Sequence, residues 1–287
     1  MPMTRDPDDG VELLWREEER EPRPGLSLGR IVRAAIELAD AEGLEGLSMR
    51  KVADRLGFTT MSLYRHVPGR DQLVDLMRDE VMGEHADEPP KETTKEPPSQ
   101  EGWRPRLEAV ARQAWRIRER HPWLAEVRGS RHLPGPNGVA YYDYMLATLT
   151  GTALRPSEVI AAIGLVGRFV DAEALLLLET RREERRSGVS EEEWWGARDS
   201  LFERLDQYPT ISGLWESGGW DHPEDTFEFG LRRLLDGIEA LIRERDETRD
   251  ENCQECGIPL EPAESGRPRV YCSRACRQRA YRKRKTG

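Results

Sequence analysis

Ser48-Met-Arg-Lys-Val-Ala-Asp-Arg-Leu-Gly-Phe-Thr-Thr-Met-Ser-Leu-Tyr-Arg-His-Val67 decides how this chain is read. Ser48 suits an N-cap, because its hydroxyl can accept from an orphan backbone N–H of the first turn. Met49, Val52, Ala53 and Leu56 recur at i, i+3, i+4 and i+7, which gives a short helix one apolar face. Gly57 fits a left-handed C-cap. Thr59 or Thr60 can then cap a second short helix with Leu63 and Val67 to bury. Thr60, Met61, Ser62, Tyr64, Arg65 and His66 are left over on it. Two short helices on a glycine-containing turn read as a helix-turn-helix, whose second helix is a candidate for the major groove. The other reading is a solvated helical hairpin inside any α-helical protein.

Charge bears on the choice. Arg50, Lys51, Arg55, Arg65 and Arg70 stand against one acid, Asp54, while the chain of 287 residues carries a formal −10. A local positive patch on an acidic protein is the footprint of a phosphate-binding surface.

The flanks carry a resemblance. LGRIVRAAIELADAEG at 28–43 and LSMRKVADRLGFTTMSLYRHVPGRDQLVDLM at 47–77 resemble the N-terminal domain of TetR-family transcriptional repressors, with Leu-Tyr-x-His-Val at 63–67 as the specific signature. His121-Pro-Trp-Leu, the segment 157–186 and the stretch from Tyr208-Pro to Phe229-Gly-Leu-Arg-Arg-Leu-Leu-Asp-Gly-Ile are similar to the tetracycline-repressor-type C-terminal domain. The resemblance implies a ligand-responsive regulator, most simply a repressor. It would bind an inverted-repeat operator in double-stranded DNA as a homodimer and be released by a small-molecule effector. It also implies that the 157–186 and 224–245 helices pair with their mates in a four-helix interface. Carried over by motif position, Tyr64, His66 and Arg70 would touch phosphates. Thr59, Thr60, Met61, Ser62 and Arg65 would face the groove, and Ser48 and Arg50 complete the expected DNA-binding set. Arg65 departs from the bulky aromatic frequent at its position and is the candidate for a bidentate contact to guanine.

The rest of the chain is expected to be all-α. It divides into a flexible arm (1–25), a helix-turn-helix domain (26–85), a linker (86–101), a helical effector-binding and dimerisation domain (102–248) and a tail (252–287). The arm holds Glu17-Glu18-Glu19-Arg20-Glu21, with Leu13, Leu14 and Trp15 available to dock somewhere. The linker has four prolines and no large apolar residue. A stripe at Ile31, Ala35, Leu38 and Ala39 marks a helix ended by Gly43, and Leu73, Val74, Met77 and Val81 mark another. Trp103 opens a helix ending near His121-Pro122. Tyr141, Met145 and Leu149 lie on the next. Ser157 to about Arg186 is a long one, apolar nearly all round at 172–178, which predicts burial on more than one side. Ser190 begins a helix through Leu205, and Asp225 to Arg245 is the last of the body. Trp115, His132, Tyr144 and Phe169 are candidate effector contacts, chosen as large or polar groups on these helices or their loops. No apolar run reaches membrane-spanning length, which argues against a membrane and for a cytoplasmic protein.

The tail holds all four cysteines. Cys253-x-x-Cys256 and Cys272-x-x-x-Cys276, fifteen residues apart, match a four-thiolate structural Zn2+ site. Four thiolates leave no position open for water, so the metal does not suggest an enzyme. Arg277 to Lys285 then has six basic residues in nine. This module resembles short zinc-ribbon tails and lies outside the usual TetR plan. Extra contact with DNA phosphates flanking the operator is one reading; a solubilising tail or an acidic-protein contact is another. An RNA-binding or protein-docking adaptor acting through the tail is the alternative function.

Overall fold

The computed structural model describes residues 9–16, 25–87, 102–127, 132–251, 253, 255, 256, 258, 260 and 270–286. The glutamate run at 17–21 and residues 88–101 of the expected linker lie outside them. All regular structure among the described residues is helical.

Five helices build the head: α1 (Asp9–Leu14), α2 (Leu28–Gly46), α3 (Met49–Leu56), α4 (Thr60–Tyr64) and α5 (Arg70–Asp87). Ser27 caps α2, and Gly43 breaks its helical geometry with φ 73° and ψ 175°, where the sequence places the end. The expected flexible arm is corrected over residues 9–16. They contain a helix whose Leu13 and Leu14 are buried in the head core, because α5 offers them an apolar seam. Trp15 donates its indole N–H to the Pro134 carbonyl at 3.3 Å.

The body comprises α6 (Trp103–Arg120), a 3-10 turn at Pro122–Glu126, α7 (Pro136–Leu149), α8 (Pro156–Ser187) and α12 (Thr226–Glu251), with α9 (Glu191–Gly196), α10 (Asp199–Leu205) and α11 (Pro209–Glu216) between the last two. Leu107, Leu149, Ile163, Leu231 and Leu235 centre its core. Helix α12 runs antiparallel to α8: Thr226 bonds Glu173 near one end, and Arg245 bonds Glu158 near the other, each at 2.9 Å.

Two expectations change here. The helix expected from Ser190 to Leu205 is two helices, because the capped turn Ser190–Glu193 runs out at Gly196, a poor helix former. No residue of α9, α10 or α11 is buried in the single chain. Two-sided burial of α8 is also incomplete. Val166, Val170, Ala174 and Leu178 are buried, yet Leu176 is 60% exposed and Ile160 and Leu165 are exposed with it. One chain covers one face of α8 and leaves an apolar strip open.

The head is not strung loosely on the body. Ile117, Trp123 and Leu124 of the body are buried in the same cluster as the head residues Ile31, Leu63 and Met77.

Candidate nucleic-acid interface and its link to the body

Caps fix the reading head. The Ser48 hydroxyl accepts from the Lys51 N–H at 3.2 Å, Gly57 closes α3 with φ 74° and ψ 28°, and Thr59 accepts from the Ser62 N–H at 3.3 Å. Only glycine adopts such a left-handed C-cap without cost to a side chain. Leu63 and Val67 are fully buried, so α4 is held from behind and its other face points outward. Met61 is 70% and Tyr64 45% exposed. Arg50, Thr59 and Arg65 are exposed, and Thr60, Ser62 and His66 are half-buried. The Ser62 hydroxyl lies 2.9 Å from that of Thr59, so the two share a hydrogen bond within the cap.

The cations of this region divide. Lys51 pairs with Glu42 at 2.6 Å and Arg55 with Glu37 at 2.8 Å, both acids on α2 behind. Arg70 donates Nη2–H to the Leu44 carbonyl at 2.7 Å and Nε–H to the Leu47 carbonyl at 3.2 Å, stapling the start of α5 to the α2–α3 turn. Arg65 makes no ion pair among the described residues. Charge counted along the stretch therefore overstates charge free at its surface.

Two sets of contacts tie the head to the body. Asp79 on α5 is buried, and its carboxylate accepts the Gly138 N–H at 2.8 Å and the Asn137 N–H at 3.3 Å. It caps the first turn of α7 from another helix, where the helix dipole favours an anion. A Cβ on Gly135 would come within 2.6 Å of that carboxylate, so glycine is required there. The second set is a clamp borne on Arg120-His121-Pro122-Trp123. His121 is 5% exposed; Nδ1 lies 2.8 Å from Asp40 of α2 and Nε2 3.0 Å from Glu84 of α5. Trp123 donates to Asp40 at 2.8 Å, and Arg120 to Glu84 at 2.5 Å. Neutral imidazole has one donor and one acceptor, so two carboxylates favour the imidazolium. Burial opposes the charge, but the hydrogen bonds and charges of Asp40 and Glu84 win, and the His121 pKa is raised. The sequence reading missed both sets. The His121-Pro-Trp motif signalled the second, but its carboxylate partners lie far off in sequence.

Of the four candidate effector residues, Trp115 and Phe169 come together and His132 turns elsewhere. Trp115 and Phe169 meet on Phe227: Trp115 stacks at 4.7 Å and Phe169 at 5.7 Å between ring centroids. His132 turns to Asp75 on α5, with Nδ1 2.5 Å from the carboxylate. Near it, Arg118 and Asp171 pair at 2.6 Å, and burial lowers the Arg78 pKa against the pull of Asp75 and Asp171. Tyr144 keeps a buried hydroxyl with no hydrogen-bond partner among the described residues, and burial raises its pKa.

In the tail, the sulfurs of Cys253, Cys256, Cys272 and Cys276 all lie within 4.8 Å of one another. Cys256–Cys272 is 3.4 Å and Cys272–Cys276 3.6 Å, too long for a disulfide. A zinc–sulfur bond of about 2.3 Å in a tetrahedron gives sulfur–sulfur edges of about 3.8 Å, so the donor set fits zinc. Arg279 donates to the Cys276 sulfur at 2.9 Å, a hydrogen bond that favours the thiolate.

Comparison with known proteins places these features. Residues 31–77 match bacterial regulatory proteins of the tetR family, and residues 96–242 match the tetracyclin repressor-like C-terminal domain. The HTH-type transcriptional repressor DrrR1 of Streptomyces coeruleorubidus is 41% identical over 242 residues, 82% of this chain and 86% of that protein. The class A tetracycline repressor from transposon 1721 of Escherichia coli is 26% identical over 218 residues, 74% of this chain and 90% of that protein. ActR of Streptomyces coelicolor, solved in complex with actinorhodin, superposes with TM-score 0.60 at 28% identity, covering 76% of this chain and 97% of that one. The cysteine tail lies beyond both matched segments. With helix-turn-helix, connecting helix and helical body all accounted for, the chain belongs to the TetR family of transcriptional regulators.

Proposed function

We propose that this protein is a ligand-responsive repressor that binds an inverted-repeat DNA operator as a homodimer and leaves it when a small molecule fills the body. The observation that carries the reading is the capped head, whose outward face is Thr60, Met61, Tyr64, Arg65 and His66 on a core shared with the body. Arg65 reads a base edge, and Tyr64 and His66 hold phosphates. Arg70 sets the height of α5 against the α2–α3 turn more than it supplies free charge. The open strip of α8 at Leu165 and Leu176 and the uncovered aromatics of α9–α11 face the second subunit.

The effector acts through α7 and α5. The buried Tyr144 hydroxyl is the polar group a ligand would satisfy, and the Trp115–Phe227–Phe169 stack supplies flat apolar surface. A ligand that moves α7 moves Asp79 with it, because that carboxylate caps α7 from α5. Head spacing then no longer fits paired half-sites. The four cysteines hold a structural zinc ion that orders the tail.

Selection of bound duplexes from a random pool at a stated salt concentration tests the reading. Enrichment of a two-fold symmetric site is expected, and recovery of unenriched sequence by folded dimer rejects it.

A further inference from the structure

We infer that α13 (Arg274–Thr286) is a second, sequence-independent contact for duplex DNA, set at the pole opposite the reading head, so that a dimer on its operator holds another segment of duplex. The inference rests on the repressor reading above. Three observations carry it.

The first is position. Helix α8 spans the body. Near its C-terminal end, Arg182 pairs with Glu126 at 2.7 Å, and its guanidinium lies 3.1 Å from where a Cβ of Gly43 in α2 would stand. That end abuts the head. Near its start, Glu158 holds Arg245 of α12. The 24 residue steps from Glu158 to Arg182 span about 36 Å of helix. Helix α12 runs on past Arg245 to Glu251, and Cys253 follows two residues later. The cysteine cluster brings Cys272 and Cys276 back to that same point, so α13 is rooted at the far pole. Thirteen helical residues reach only about 20 Å, too little to return to the operator face. Two heads on one duplex place both tails at the far end of the dimer along its dyad.

The second is charge. No acid occurs in 270–286, while Arg274, Arg277, Arg279, Arg282, Lys283, Arg284 and Lys285 do. Arg279 is turned to Cys276 and to Glu255 at 3.7 Å. Helical spacing puts positions 274, 277, 281, 284 and 285 on one face. Arg274 and Arg277 are exposed there, with Tyr281 62% exposed between the turns. The remainder of the chain is strongly acidic, so it repels the polyanion that this face attracts.

The third is chemistry. Single-stranded RNA is recognised on several aromatic platforms for unstacked bases. Helix α13 offers one aromatic in thirteen residues and a row of cations, which suits the regular phosphates of a duplex.

A sandwich capture tests this. Operator duplex is fixed to beads, saturated with zinc-loaded full-length protein and washed, and a labelled duplex without the operator is added. The wild type should retain the label, and retention should fall steeply with salt. The variant R274Q/R277Q/R284Q/K285Q, checked for unchanged zinc content, should bind operator as before and lose at least tenfold of the second duplex. The variant Y64A/R65A should lose operator selection yet still retain non-operator duplex through α13, which separates failure of the head from failure of the tail. Absence of retention by wild type overturns the inference. So does a fall in operator affinity and its salt slope in the tail variant, which would place α13 on the same duplex. Stronger capture of labelled single-stranded RNA than of duplex also overturns it.

Discussion

The two cationic regions of this protein are built in opposite ways. In the head, Lys51 and Arg55 are paired to acids on α2 and Arg70 is bonded to backbone carbonyls, so much of the positive charge holds α3 and α5 in place. In α13, no acid lies between residues 270 and 286, and Arg279 turns inward to the cysteines and Glu255. The head gains rigidity from its own cations and from a core with Leu63 and Val67 fully buried. The tail is too small for such a core and gathers its four cysteine sulfurs around one point. A rigid surface with few free charges suits reading a sequence. A surface with many charges and one anchor suits gripping phosphates of any sequence.

The sharpest way to break this comparison is to remove the anchor. Cys276→Ser, or chelation of zinc, should unfold the tail, with a loss on the order of 10 kcal/mol of metal-coupled folding free energy. The helical melting of the body should stay where it was, as followed by circular dichroism; a shift of both transitions would mean that tail and body fold together. Next in size is Arg65→Ala. It should cost about 1–3 kcal/mol of operator affinity and relax preference at one base position, with thermal stability unchanged. Arg70→Ala should do the reverse: lower the stability of the head by about 1 kcal/mol through two lost hydrogen bonds to backbone carbonyls and weaken all duplexes alike. Denaturant unfolding alongside binding to operator and scrambled duplex separates the two variants. Smallest are Lys51→Gln and Arg55→Gln, whose exposed pairs should each contribute about 0.5 kcal/mol or less.

A pH titration probes the link between the regions of the head and body. The His121 pKa is raised above its ordinary value of about 6.5 by Asp40 and Glu84 against the cost of burial. Its contribution to stability is therefore full below about pH 6.5 and is lost as pH rises through the higher folded value. Stability measured across that window should fall with a slope that His121→Gln removes. An unchanged slope in the variant would show that another group carries it.

The helix-turn-helix was legible because its signals are local. Caps at Ser48 and Thr59, the glycine at 57 and the Leu63/Val67 pair lie within twenty residues, and each makes the contact its spacing implies. The cysteine spacing was legible for the same reason. Leu13 and Leu14 of the arm were legible as residues that could dock, but nothing beside them in sequence shows the seam on α5 that buries them. The helix from Ser190 was read through Gly196 because apolar spacing continues past a break set by one residue. The effector candidates were chosen by residue type; Trp115 and Phe169 share the stack on Phe227, while His132 is drawn to Asp75.

What the sequence alone determined is the main helices of head and body, the reading head and the donor set for a metal, because periodicity, capping and ligand spacing act over one or two turns. What only the tertiary structure decided is which charges remain free, how Asp79 and His121 couple head to body, and at which pole the tail stands. Those depend on partners such as Glu37, Asp40, Glu84 and Glu158, brought near by packing across tens of residues, and no local pattern encodes that proximity.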